Sequence, residues 1–191
     1  MNGIWPMAAA LIAFLITSVL GRKLIPFLQK VKYGQTILEI GPSWHKNKQG
    51  TPTMGGIMFI IGIVVSSVVC IPLYYFSSGF AGHQVTETPF MMIKIYAGLV
   101  MAVLYGVVGF VDDYIKVVKK RNKGLSAFQK LLLQFLIAAS YLCAIYIAGT
   151  SHNVMNLTSI KVPFLGKIDF GILYWLISAV VIVGIVNAVN L

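Results

Sequence analysis

The sequence predicts an all-α, polytopic transmembrane protein, on three observations. Of its 191 residues 58% are hydrophobic and only 10% are charged, with a mean hydropathy of +0.86, far from the charge-rich balance of a soluble domain. Five apolar runs are each free of charge over most of a bilayer's thickness. The basic residues gather in alternate connecting segments.

A hydrocarbon core about 30 Å thick takes about 20 helical residues at 1.5 Å of rise each. Charge-free runs near that length cover residues 4–20, 56–76, 95–111, 131–148 and 170–191. The first is stopped by Arg22-Lys23 and the third runs directly into Asp112-Asp113. None shows the period-two alternation of a barrel strand, so helices are the remaining way to satisfy the backbone in lipid. Residues 1–191 read as a single integral membrane domain without internal repeats. The first run has no basic residue before it and no small-residue cleavage pattern after it, so it is expected to stay attached. Cys70 and Cys143 lie inside apolar runs without metal-ligand or redox spacing and read as packing residues.

Orientation follows from the loops. Segment 22–54 carries Arg22, Lys23, Lys30, Lys32, Lys46 and Lys48, and segment 112–130 carries Lys116, Lys119, Lys120, Arg121, Lys123 and Lys130. Both are expected on the cytoplasmic side. The N-terminus and the segments 77–94 and 150–169 are poor in charge and are expected outside. The formal net charge of +10 is thus explained by membrane topology, and no nucleic-acid partner is expected. Asn190-Leu191 closes the sequence within an apolar helical run with no polar stop, so a further C-terminal half is expected.

Chemistry is confined to few residues. The chain has five acids, and two of them, Asp112 and Asp113, are adjacent at the inner end of the third span. Adjacent carboxylates repel, and the C-terminal end of a helix disfavours them unless the helix continues or a cation is close. They could form part of a Mg²⁺ site, or one could take a proton from a phosphate nucleophile. Lys116, four and three residues on, can hold either carboxylate ionised or grip an anionic substrate. The alternative is an ordinary interfacial charge pair balanced by Lys116. A second feature is the stretch Lys46 to Gly56, which reads as a helix start. Thr51 or Thr53 can cap it, Pro52 and the glycines fix the turn, and Lys48 stands beside N–H groups suited to phosphate. Its alternative is a capped helix whose lysines only set topology. Together the two features offer carboxylates for a cation and donors for an anion, which a metal-bound diphosphate needs. Asn187 and Asn190 share a helix face, where they either pair with another helix or line a polar cavity. His45, beside Trp44, reads as interfacial, and His83 and His152 fall on the outer side.

These residues resemble a known family. The runs Gly50-Thr51-Pro52-Thr53-Met54-Gly55-Gly56 and Phe110 to Lys116 (FVDDYIK), then Gly124-Leu125 with Lys130 and Gln134, and the closing Asn187-Ala188-Val189-Asn190-Leu191 are similar to the MraY-type phospho-MurNAc-pentapeptide transferases. These belong to the polyprenyl-phosphate sugar-1-phosphate transferase superfamily. The resemblance implies about ten helices in the full protein, often a homodimer, with the active site on the cytoplasmic face of the bacterial inner membrane. It implies transfer of phospho-MurNAc-pentapeptide from UDP-MurNAc-pentapeptide to undecaprenyl phosphate, with Mg²⁺, giving lipid I and UMP. Asp112 and Asp113 carry over as catalytic acids. Lys48, Thr53, Lys116, Lys130, Asn187, Asn190 and Leu191 carry over as substrate-binding residues. The main metal ligand and a histidine cluster would lie beyond Leu191, so these 191 residues alone are expected to be inactive. Two other readings stand beside this one: a sibling enzyme moving another UDP-linked sugar phosphate, such as GlcNAc-1-phosphate, and a non-enzymatic transporter or membrane scaffold.

Overall fold

A computed structural model describes residues 4–30, 54–80, 89–119 and 124–188. Its elements in order are α1 (Ile4–Lys30), α2 (Gly56–Phe80), α3 (Pro89–Val118), α4 (Ala127–Ser151), β1 (Ser159–Val162), β2 (Gly166–Asp169) and α5 (Leu173–Ala188). Four of the helices are long and apolar enough to cross a membrane, and α5 is a shorter apolar helix. The all-α polytopic architecture expected from the hydropathy is therefore present. The last residues of the expected fifth span, 189–191, lie outside the described residues.

The helices exceed the charge-free runs. Helix α1 continues past Arg22-Lys23 to Lys30, and α3 starts at Pro89 and continues past the acid pair to Val118. Charges at a bilayer rim do not end a helix, because long basic side chains reach the headgroups while their backbones stay helical.

The chain divides into two units, Met1–Val85 with Gly109–Leu125, and Thr86–Val108 with Ser126–Leu191. In the first, small residues let α1 and α2 approach closely. A Cβ on Gly62 would fall 2.9 Å from the carbonyl oxygen of Ala13, and the Thr17 hydroxyl donates to the Met58 carbonyl at 3.4 Å. Such approach is the usual means of helix association in lipid, where apolar burial drives little. The second unit is built round Phe90, Ile145 and Ala148, packed by Tyr141, Leu157 and Trp175. Most other large apolar side chains point outward, among them Phe14, Phe59 and Leu136, as lipid-facing residues do.

One expectation is corrected. Cys143 is exposed on the helix surface, whereas Cys70 is buried as expected; an apolar run in lipid has outward-facing positions that packing does not claim. Segment 150–169 also contains an antiparallel hairpin pairing Ser159 with Asp169 and Lys161 with Lys167. Its strands have only four residues each, too few for alternation to stand out in sequence. Left-handed backbone at Asn153 and Asn156 leads into it, and Phe164 and Gly166 form its tip, also at positive φ.

Candidate active site at the end of the third helix

The site begins with the continuation of α3. Asp112 and Asp113 are not its last residues; a further turn follows, ending at Val118, so the carboxylates avoid the unfavourable end of the macrodipole. That turn carries Lys116 back to both acids. Its Nζ lies 2.7 Å from Asp112 Oδ2 and 3.0 Å from Asp113 Oδ1. One ammonium thus relieves the repulsion between two adjacent carboxylates.

The two acids have different surroundings. The Asp112 side chain retains 8% of its accessible surface and that of Asp113 retains 32%. A buried carboxylate is costly unless its lone pairs are met, and each oxygen of Asp112 has a partner. Its Oδ2 takes the Lys116 ammonium, and its Oδ1 accepts the backbone N–H of Leu125 at 2.9 Å. Gly124 makes this approach feasible, since a Cβ there would collide with the Asp112 carboxylate and come within 2.6 Å of its carbonyl oxygen. Among the described residues, Asp113 uses only Oδ1, toward Lys116. It is the acid of the pair that is open to a ligand. The Phe110 and Tyr114 rings stack beside them, with centroids 6.0 Å apart.

After Gly124-Leu125 the chain enters α4 through a full capping box. The Ser126 side chain accepts from the Gln129 N–H, while the Gln129 side chain accepts from the Ser126 N–H. Lys130 sits in this first helical turn, its N–H on the Ser126 carbonyl at 2.9 Å. The N-terminal end of a helix is where its macrodipole opposes a cation.

Asn187 lies on α5 and is paired with α4. Its Nδ2 donates to Gln134 Oε1 at 2.8 Å and to the Val183 carbonyl at 2.8 Å, and Gln134 Nε2 returns a hydrogen bond at 3.4 Å. Gln134 is 2% exposed, and its carbonyl accepts the Tyr105 hydroxyl at 2.9 Å. Of the two sequence readings of Asn187, helix pairing is the one with a partner on view.

Of the predicted site residues, Asp112, Asp113 and Lys116 are thus brought together. Lys130 and Asn187 belong to the other unit, and Lys48, Thr53, Asn190 and Leu191 lie outside the described residues, as does the expected cap at Thr51. What is described of that helix start is a left-handed Met54, whose carbonyl accepts the Ile57 N–H at 3.3 Å. Gly124 and Leu125 entered the sequence reading only as part of the family resemblance, without the donor role of one or the clearance at the other. The only signal for them was a Gly-Leu step following a basic loop.

A hard divalent cation fits this donor set as a partial site. Among the described residues no three His, Cys, Asp or Glu side chains converge, and both oxygens of Asp112 are engaged. Asp113 retains an oxygen, and Mg²⁺ is commonly held by one or two carboxylates, with water and substrate phosphate completing its shell.

Comparison with known proteins gives the family. A family model described as glycosyl transferase family 4 matches residues 95–191, and one described as phospho-N-acetylmuramoyl-pentapeptide-transferase signature 1 matches residues 48–60. The phospho-N-acetylmuramoyl-pentapeptide-transferase of Desulfitobacterium hafniense is 39% identical over 184 residues, covering 96% of this chain and 49% of that protein. The protein of the same name from Bacillus subtilis is 40% identical over 182 residues, covering 95% and 50%. That from Clostridioides difficile is 39% identical over 183 residues, again covering 95% and 50%. The chain spans about half the length of the curated relatives it matches.

Proposed function

The chain belongs to glycosyl transferase family 4, and from that premise we propose that its protein transfers phospho-MurNAc-pentapeptide from UDP-MurNAc-pentapeptide to undecaprenyl phosphate, forming lipid I and UMP. The observation that carries the proposal is the acid pair bridged by Lys116 within a helix fit to cross a membrane. The match of residues 48–60 to the MurNAc-pentapeptide signature favours this substrate over other UDP-linked sugar phosphates.

In this reading the residues divide the work. Asp113, the more exposed acid, faces substrate and orients or deprotonates the lipid phosphate. Asp112 holds Lys116 and Leu125 in place behind it. Lys116 pairs with Asp113 and limits its swing. Lys48, Thr53, Lys130, Asn187, Asn190 and Leu191 are assigned to substrate binding, with Leu191 beside the nucleoside. Mg²⁺ would be held in part by Asp113 and would neutralise the diphosphate charge as the phosphoryl group moves. The site lies on the cytoplasmic face of the inner membrane, and the protein is a homodimer. The 191-residue chain alone is inactive in this reading, which rests on its covering about half the length of its relatives.

The test is to supply the full-length protein with Mg²⁺, polyprenyl phosphate and either UDP-MurNAc-pentapeptide or UDP-GlcNAc. Lipid-linked muramoyl peptide and UMP are the expected products. Preferential transfer of GlcNAc-1-phosphate would assign the protein to a sibling activity, and no transfer to lipid from either nucleotide would leave the scaffold reading.

A further inference from the structure

The segment between α4 and α5 plays no part in the proposed transfer, yet it has unusual features. Phe164 and Leu165, at the hairpin tip, are 106% and 73% exposed. Phe164 also holds a left-handed backbone, with φ of 68°, which is strained for an aromatic residue. An exposed, strained aromatic carries a cost in water and none of the neighbouring side chains covers it.

The strand register sorts the rest. Ile160 faces Ile168 across the ladder, and Lys161 faces Lys167. Successive side chains point to opposite faces, so the isoleucines line one side and the lysines the other. Like charges directly opposite each other repel, and the pair is relieved by an anionic partner. Asp169 supplies it only in part: its carboxylate attracts Lys167, but it is held by the Thr158 hydroxyl and the Gly171 N–H and is one negative charge against two positive ones.

The membrane boundary is close. The hairpin joins α4, which is fit to cross a bilayer, to the apolar α5, and strands of four residues reach only about 14 Å. At the same ends of these helices Tyr146, Tyr174 and Trp175 form edge-to-face contacts with centroids 5.5 and 5.2 Å apart. Tyrosine and tryptophan concentrate at headgroup level.

We propose that the hairpin 159–169 is a lipid-surface anchor: the Phe164-Leu165 tip enters the interfacial region of the bilayer while Lys161 and Lys167 bind anionic phospholipid headgroups. The occupant is the leaflet that receives the C-terminal end of α4. An apolar tip joined to a cationic face is the combination that gives interfacial binding sensitivity to anionic lipid. This does not depend on which sugar phosphate the protein transfers.

The test uses full-length protein in which native cysteines, including Cys70 and Cys143, are replaced by Ala. An environment-sensitive fluorophore is attached at Phe164→Cys or, in a second variant, at Leu165→Cys, with Asn153→Cys as a position off the tip. The proteins are reconstituted in phosphatidylcholine vesicles with and without phosphatidylglycerol. Quenching by lipids spin-labelled near the glycerol is expected to exceed quenching by aqueous iodide at both tip positions by about threefold or more. Phosphatidylglycerol should increase it, and K161Q/K167Q should remove that increase. A tip label as open to iodide in vesicles as a free fluorophore would overturn the proposal. So would shielding that rises with the protein-to-lipid ratio, which would assign the tip to a second copy of the chain. Equal quenching with and without phosphatidylglycerol would overturn the role of the lysines.

Discussion

The Asp112 carboxylate accepts the backbone N–H of Leu125 at 2.9 Å, across thirteen residues of chain. This holds Leu125, just ahead of α4, against the acid pair, and it works only because Gly124 lacks a side chain at the point of approach. The Gly124→Ala variant is therefore expected to displace Leu125 and take its N–H from a buried carboxylate, at a cost of about 1–3 kcal/mol. Leu125→Ala keeps the N–H donor and should retain the clasp. Thermal unfolding of the full-length protein, measured with its rate of lipid-linked product formation, checks both. A Gly124→Ala protein of unchanged stability and rate would show that the clasp has no weight.

The unequal burial of the two acids predicts unequal consequences of neutralising them. Asp113→Asn removes charge from a position open to ligand but leaves Asp112, Lys116 and Leu125 engaged. It should abolish turnover, by a factor of about 100 or more, with little change in melting temperature. Asp112→Asn also breaks a buried ion pair with Lys116, so it should lower both rate and melting temperature. If Asp113→Asn kept full activity while folded, Asp113 would lose its place as the reacting acid.

What could be read from sequence was whatever obeys a long-range rule. Hydropathy located four of the spans, and the repulsion between Asp112 and Asp113 marked them as residues held at a cost. Helix ends were less legible, because charge-free runs measure the lipid rather than the helix: the continuation of α3 to Val118 is what lets Lys116 bridge both acids. The Leu125 donor and the Gly124 clearance depend on chain segments meeting after a loop, and no periodicity records that. The hairpin was missed for a related reason, since strands of four residues are set by turn conformations at Phe164 and Gly166 more than by pattern. The partner of Asn187 was left open because an amide on a membrane helix signals only that some partner exists.

A pH dependence follows at Asp169, outside the membrane spans. The Thr158 hydroxyl, then the Gly171 N–H and the charge of Lys167, hold its carboxyl below its ordinary value of 3.8. A carboxyl with a depressed folded-state pKa stabilises the fold fully above its unfolded value and loses that contribution as pH falls through the folded one. Protection of the Gly171 amide from hydrogen exchange, corrected for intrinsic rates, should therefore stay constant down to about pH 5 and decline only in stronger acid. Thr158→Val should move the decline upward. A decline near neutral pH would assign it to another group.

The last prediction concerns the amide pair joining α4 and α5. Gln134 and Asn187 exchange hydrogen bonds in both directions, so removing one amide leaves the other seeking a partner in an apolar setting. Gln134→Leu and Asn187→Leu should each destabilise the full-length protein by about 0.5–2 kcal/mol. The double variant should be less damaged than the sum of the two, because no orphaned amide remains. Reversible unfolding in mixed detergent gives the coupling energy, and the kinetics separate two roles. If Asn187 serves the helix pair alone, Asn187→Leu and Gln134→Leu will alter turnover alike and leave KM unchanged. If it also binds substrate, as proposed, Asn187→Leu will raise KM for the nucleotide sugar and Gln134→Leu will raise it less. Equal, additive losses of stability with no change in KM would remove both the pairing and the substrate role.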